Sequence, residues 1–233
     1  MCPSWDNASI SEPVPCLIVG AGLAGLTAAG ILRSAGVRTR IIEANTVVGG
    51  RLATLVDRPA GAEPSLFDHG AQFFTVREES FATMVESWLE AGVIVEWSRG
   101  FATADGSYYA DGHPRYRGTT GMAAVAEHMA GGLDIRLGQR VSEIGAREGK
   151  WLVSTMTGQR HSAQALLLTP PAPLSLALID GGSIALADEI RNALAQISYE
   201  PCIAVMLRLK GPSQVPDPGG MWPIGEPLAW IAD

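Results

Sequence analysis

Three glycines, at Gly20, Gly22 and Gly25 in the run Gly20-Ala21-Gly22-Leu23-Ala24-Gly25, form the pattern G-x-G-x-x-G. That spacing suits a phosphate-binding turn: the first glycine permits a tight reversal, the second lets a pyrophosphate approach the backbone, and the third lets a helix lie close to a strand. A helix opening at such a turn adds the positive end of its dipole. Glu43 follows 18 residues after Gly25, a distance at which a carboxylate can accept from a ribose hydroxyl. Gly49-Gly50 and the guanidinium of Arg51 begin six residues later. Bare backbone followed by a cation suits a loop folded over a pyrophosphate, with Arg51 as a charge-assisted donor. On the residues alone, a tightly packed turn and a solvated surface arginine are the competing readings of these two groups.

Chemistry at this turn needs a strand before it and a helix behind it. Val14 to Val19 (VPCLIV) reads as a buried strand, Leu23 to Ser34 has helical composition closed by Gly36, and Arg38 to Glu43 reads as a second strand, which makes one βαβ unit and starts a parallel sheet. Residues 44–77 are expected to be mostly loop. The spacing of Phe81, Met84, Val85, Trp88 and Leu89 predicts a helix over Glu78 to Ala91, followed by short strands at Val93 to Trp97 and Gly106 to Tyr116. Thr119 to Ala130 is expected to be helical, with strands at Leu133 to Leu137, Val141 to Ile144, Trp151 to Met156 and Ala165 to Thr169. Pro170, Pro171 and Pro173 end the last strand; Ile184 to Ile197 reads as a helix and Ile203 to Leu209 as a strand.

Composition narrows the function classes. The chain has 233 residues, 47% hydrophobic and 18% charged, enough apolar material to bury a core. Its net charge is −7, with no basic run able to track a phosphate backbone, which argues against nucleic acid as a partner. Residues 1–13, MCPSWDNASISEP, lack the basic start and apolar stretch of a secretory peptide, and no apolar run approaches the roughly 18 residues of a membrane span. A cytoplasmic location without membrane contact is expected, with a small-molecule substrate as the partner. Cys2, Cys16 and Cys202 lack C-x-x-C spacing, so neither a disulfide framework nor a zinc site is encoded.

Four segments taken together resemble one family. VGAGLAGLTAA from Val19, GGRLAT from Gly49, DHGAQFFT from Asp68 and LLLTPPAP ending at Pro173 occur in the order of the flavin-dependent amine oxidase superfamily, and more narrowly of its renalase-like branch. With the Gly118 to His128 segment and the RVSEI strand, the resemblance spans about residues 14–173. DHGAQFFT is its most specific part.

The resemblance implies an α/β fold. A Rossmann-like FAD-binding domain with a parallel sheet would occupy residues 14–77 and 118–173, and an inserted, incomplete α+β substrate domain residues 78–117 and 174–233. FAD is the implied cofactor, with Gly20, Gly22, Ala24 and Gly25 at the pyrophosphate, Glu43 at the adenosine ribose, and Gly50 and Arg51 at the phosphates. The backbone of Val141 would read the adenine edge, and Gln72 and Phe73 would lie beside the flavin. On the residues alone Gln72 is a turn cap and Phe73 a core residue. No general base is assigned, in keeping with hydride transfer to a flavin, where the isoalloxazine does the chemistry and the protein orients it. The implied reaction is oxidation of a dihydronicotinamide dinucleotide or an amine, with dioxygen reoxidising the flavin; the rival reading is a non-catalytic adenine-nucleotide-binding module. Superfamily members continue for about another hundred residues. The chain is therefore expected to be a piece of a longer protein, or a shortened member with one wall of its site missing, and poorly soluble or flavin-free when expressed alone.

Overall fold

The computed structural model describes residues 11–225 and 227–233. Its strands, in chain order, are β1 (Val14–Val19), β2 (Thr39–Ile42), β3 (Thr54–Asp57), β4 (Ser65–Asp68), β5 (Phe74–Thr75), β6 (Ile94–Thr103), β7 (Tyr108–Gly118), β8 (Asp134–Arg136), β9 (Val141–Arg147), β10 (Lys150–Thr155), β11 (Arg160–Leu168), β12 (Gly220–Trp222) and β13 (Ile231–Ala232). Its helices are α1 (Leu23–Ser34), α2 (Glu79–Glu90), α3 (Ala123–Ala130), α4 (Ala172–Gly181) and α5 (Asp188–Ala195). They form two compact units: the described residues up to Arg51 with Ala126–Ile203, and Leu52–Val125 with Ala204–Asp233.

In the first unit the nearly uninterrupted apolar run of β1 is stable as a strand only if both its faces are covered. Cys16 and Ile18 pack with Leu26 and Ala29 of α1, Ile41 of β2 and Ala126 of α3. On the other face Val14 and Leu17 join Ile42, Ile144, Val153 and Ala163. The sheet order is β8-β2-β1-β11-β10-β9. Its first four strands run parallel, and β10 and β9 continue antiparallel. Gly36, at φ +75°, ends α1 by donating to the Arg33 carbonyl at 2.9 Å.

The second unit is built on a five-stranded sheet, β13-β12-β6-β7-β5, beside the two-stranded β3-β4 pair. Its apolar centre is aromatic: Phe101, fully buried, meets Phe73, Trp97, Trp222 and Trp230 at ring-centroid distances of 4.7–5.5 Å. Arg115 lies over the rings of Phe73 and Phe101, at 5.9 and 5.4 Å, and places its two terminal nitrogens on Asp111 at 2.9 Å each. That guanidinium, with the His113 N–H behind it, holds the Asp111 carboxyl down at about 2.

The structure departs from several expectations. Residues 44–77 are mostly loop, as expected, but the short strands β3, β4 and β5 form within them, and the two strands expected at 93–97 and 106–116 are longer and pair as one hairpin, β6-β7, with register shifts near Ser98. The prolines after β11 start a helix as well as end a strand: Pro171 caps α4 and Pro173 sits in its first turn, where a missing N–H costs nothing. The helix expected over 184–197 is confined to α5. Ile203 to Leu209 forms no strand; Ile203 is 88% exposed, and without a neighbouring strand its backbone has no ladder to join. The unit boundaries also differ from those expected at 77/78, 117/118 and 173/174. β5 pairs with β7, which draws residues 52–77 into the second unit, whereas Leu178 and Ile179 of α4 pack with Ile144 of β9, which keeps α4 in the first.

Leu17→Ala, at a site with no exposed surface, is expected to lower unfolding free energy by about 2–5 kcal/mol through lost burial and a residual cavity. Ile203→Ala should change it by less than about 0.5 kcal/mol. Urea titrations of both variants check the contrast, and equal effects would contradict the core described here.

Candidate functional site

β1 ends at Val19, and the chain reverses at Gly20 with φ +103°. The Gly20 N–H donates to the Ile42 carbonyl at 2.8 Å, and the Thr169 hydroxyl donates to the Val19 carbonyl at 2.8 Å, so β2 and the end of β11 fasten the turn from both sides. A Cβ on Gly20 would stand 2.5 Å from that hydroxyl, and one on Gly25 would stand 2.0 Å from the Gly20 carbonyl oxygen. Those two positions must be glycine for the protein's own packing.

Gly22 is different. Its backbone is extended, at φ −79° and ψ −179°, and a Cβ there would meet nothing nearer than the Gly49 carbonyl oxygen at 3.9 Å. The fold does not need a glycine here, and the open backbone is the kind a pyrophosphate can approach. Gly22 is also the N-cap of α1, whose first turn has no side-chain cap and no acidic residue. The leading N–H groups of the helix, around exposed Ala24, therefore lie where an anion is stabilised by donors and dipole together.

The second glycine group closes on the first. The Gly49 N–H donates to the Ala21 carbonyl at 2.9 Å, Gly22 and Gly49 form a bridge, and both Gly49 (φ +114°) and Gly50 (φ +55°) need the left-handed backbone. Arg51 follows in a single turn, Gly50–Leu52, with its side chain exposed. Glu43 is 6% exposed and bonded on both oxygens: Oε2 accepts from the Ala21 N–H at 2.7 Å, and Oε1 accepts from the Asn45 N–H at 2.8 Å and from Asn45 Nδ2 at 2.9 Å. The Gln139 N–H donates to the Glu43 carbonyl at 2.8 Å, which brings the segment leading into Val141, the first residue of β9, alongside.

Gly20, Gly22, Ala24, Gly25, Glu43, Gly50, Arg51 and Val141 thus all lie in the first unit, and the contacts above tie the turn, Glu43 and the Gly49-Gly50 loop together. Gln72 and Phe73 lie in the second. Gln72 Nε2 donates to the Asp68 carbonyl at 3.2 Å and Oε1 accepts from the Trp230 indole N–H, while Phe73 is a member of the aromatic centre. Sequence reasoning missed Thr169, Asn45 and the pair Thr54/Asp68. Asp68 Oδ1 accepts from the Met122 N–H at 2.9 Å and Thr54 Oγ1 from the Ala123 N–H at 3.0 Å, so these two side chains cap α3 from a distance in sequence no local cap motif covers.

A parallel sheet whose first βα turn carries a glycine cradle, an open helix N-terminus and a buried carboxylate on the next strand defines a dinucleotide-binding fold. A family model described as an NAD(P)-binding Rossmann-like domain matches residues 18–88, and one described as flavin containing amine oxidoreductase matches residues 76–231. The chain belongs to the flavin-containing amine oxidoreductase family, and its cofactor is FAD. It is 27% identical over 201 residues to renalase of Mus musculus, covering 82% of this chain and 57% of that protein. An L-amino-acid oxidase of Siganus canaliculatus is 53% identical over 45 residues, 19% of this chain and 8% of that one. Among solved structures, a mutant putrescine oxidase from a redesign of its cofactor binding superimposes with a TM-score of 0.57 at 16% identity, over 79% of this chain and 63% of that one, a likeness of fold. The chain thus spans about 57% of the renalase it matches.

Two glycine variants separate the ligand's demands from the fold's. Gly22→Ala is expected to keep the parent's thermal midpoint and to weaken FAD or ADP binding at least about tenfold, since a methyl group would fill the approach to the backbone. Gly25→Ala is expected to destabilise the fold by about 3 kcal/mol or more, because a backbone atom blocks the added carbon. Thermal denaturation beside calorimetric titration checks both; full binding by Gly22→Ala would remove that residue from the site.

Proposed function

We propose that this chain binds FAD as an oxidoreductase of the renalase-like or amine-oxidase-like kind, acting on a small reduced organic molecule. The observation that carries the reading is Gly22, a glycine the fold does not require, set between the uncapped start of α1 and the buried Glu43. Gly20, Gly22, Ala24 and Gly25 would hold the pyrophosphate through backbone N–H groups, Gly50 and Arg51 would cover it, Glu43 would take a ribose hydroxyl, and the backbone at Val141 would meet the adenine. Gln72 and Phe73 are the residues we assign beside the flavin, on the resemblance of the segment from Asp68.

When bound, FAD would supply the redox chemistry, two-electron oxidation of a reduced substrate with dioxygen as the final acceptor of two electrons and two protons to give hydrogen peroxide. The protein's part is to hold the cofactor, orient the substrate and exclude water. Two substrate classes fit, a dihydronicotinamide dinucleotide, favoured by the similarity to renalase across most of the chain, and a primary or polyamine, favoured by the family as a whole. No helix among the described residues is long and apolar enough to cross a membrane, and we propose a cytoplasmic site of action.

With FAD supplied in the buffer, the purified protein is expected to take up flavin and to release peroxide with one of these substrate sets and not the other. An absorbance scan followed by a peroxide-coupled assay with dihydronicotinamide dinucleotides and with amines decides. A colourless protein that still binds ADP would overturn the redox reading in favour of a non-catalytic nucleotide-binding module.

A further inference from the structure

We propose that His161 is a positioning residue for the adenosine end of the cofactor site: it holds the segment from Gly138 to Val141 against Glu43, and holds it most firmly as a neutral imidazole. The inference rests on the dinucleotide reading of that site, and no step of the chemistry described above uses His161.

The ring is 5% exposed on β11 and is bonded at both nitrogens, Nδ1 to the Ser11 hydroxyl at 2.9 Å and Nε2 to Gln139 Oε1 at 2.9 Å. The direction of each bond follows from its partner. An amide oxygen only accepts, so Nε2 carries the proton, and in the neutral ring Nδ1 must then accept. Ser11 therefore donates its hydroxyl hydrogen to Nδ1, which leaves its oxygen to accept from Arg40 NH1 at 3.0 Å. Arg40, itself 8% exposed, also donates to the Glu12 carbonyl at 3.2 Å and to Asp134 at 2.8 Å. A directed chain thus runs from Arg40 through Ser11 and His161 to Gln139.

Gln139 connects this chain to the site. Its side chain accepts from His161, while its main-chain N–H donates to the Glu43 carbonyl at 2.8 Å; the neighbouring Gly138 N–H donates to the Asn45 carbonyl at 2.8 Å. Val141 begins β9 two residues further on. Losing the anchor on the Gln139 side chain would leave this turn to backbone bonds: those from the Gly138 and Gln139 N–H groups, that of the Glu43 N–H to the Arg136 carbonyl and that of the Met156 N–H to the Arg140 carbonyl.

Protonation reverses Nδ1 from acceptor to donor and adds a second cation next to Arg40. The charged groups facing the ring are Arg40 from β2 and Arg136 and Asp134 from β8, and Asp134 already pairs with both arginines. Burial holds the imidazole below its ordinary range, Arg40 and Arg136 act in the same direction, and Asp134 opposes them. The folded state therefore binds this proton less readily than the unfolded chain. The stability the buried neutral ring contributes is complete above the ordinary histidine value of about 6.5 and falls progressively as pH drops below it toward the lowered folded-state value.

The test uses the full chain with ADP-ribose as probe, since its pyrophosphate diester does not titrate in the range used. Hydrogen exchange of residues 138–141 without ligand, corrected for intrinsic pH dependence, and the ADP-ribose dissociation constant are each measured at about pH 8 and about pH 5.5. In the parent, exchange is expected to quicken by up to about tenfold on acidification, because opening exposes the ring to protonation, and ADP-ribose binding is expected to weaken in the same direction. His161→Gln, which stays neutral, should show neither change and should lie within about threefold of the parent at pH 8. Gln139→Met, which cuts the same link from its other end, should show at pH 8 the fast exchange of the acidified parent, and decides the matter if His161→Gln does not fold. Protection that is pH-independent in the parent, or an equal pH effect in parent and His161→Gln, would overturn the proposal. ADP-ribose binding at neither pH would remove the nucleotide reading, while the exchange data would still decide whether His161 anchors this turn.

Discussion

Helix α1 starts so close to β1 that no side chain fits between them. A Cβ on Gly25 would stand 2.0 Å from the Gly20 carbonyl oxygen, and that approach is what every other feature of the nucleotide site depends on. It fixes the direction of the helix's first turn, and it leaves Gly22 as the N-cap with no side chain capping it. Thr169 and Ile42 hold the turn in that shape from the neighbouring strands, so the reversal is set by β11 and β2 as much as by the glycines. Dipole and N–H donors then act at one place because the packing leaves the helix no alternative start.

Glu43 extends the same logic to electrostatics. A carboxylate offers about four acceptor positions, and three are engaged by the Ala21 N–H, the Asn45 N–H and the Asn45 side chain. Its first task is therefore internal: it satisfies a backbone donor inside the glycine turn and stiffens the loop leaving β2. A ribose hydroxyl would take the acceptor capacity that remains. Burying a carboxylate is tolerable here because it is fully hydrogen-bonded and lies near the positive start of α1.

The turn was legible in the residues because glycine spacing is dictated by backbone sterics, which are local. β1 and α1 match their expected limits for the same reason: continuous apolar composition followed by a glycine turn admits few alternatives. What stayed hidden depends on partners distant in sequence. β3 and β4 are short, and most of their residues lie partly or well in solvent, so residues 54–68 show no clear period, and the pair exists because its strands hydrogen-bond each other. Ile203 to Leu209 shows the converse, strong strand composition with no strand beside it. Thr169 and Asn45 carry no signature of their own, since a lone hydroxyl or amide becomes informative only when its acceptor is known.

The segment from Asp68 to Thr75 carries the most specific sequence resemblance, and the structure supplies a physical reason for that specificity which does not involve a ligand. Asp68 caps α3 together with Thr54, Gln72 bonds both the Asp68 carbonyl and Trp230, Phe73 packs in the aromatic centre under the Arg115 guanidinium, and Phe74 pairs with Tyr116 across β5 and β7. Asp68, Gln72, Phe73 and Phe74 are therefore each held by contacts with other parts of the second unit. Gln72 retains one amide hydrogen and one oxygen lone pair beyond these bonds, and those are what it has to offer a ring placed beside it. A segment this tied down presents such a group with little conformational freedom left to lose, the property a residue orienting a planar cofactor needs.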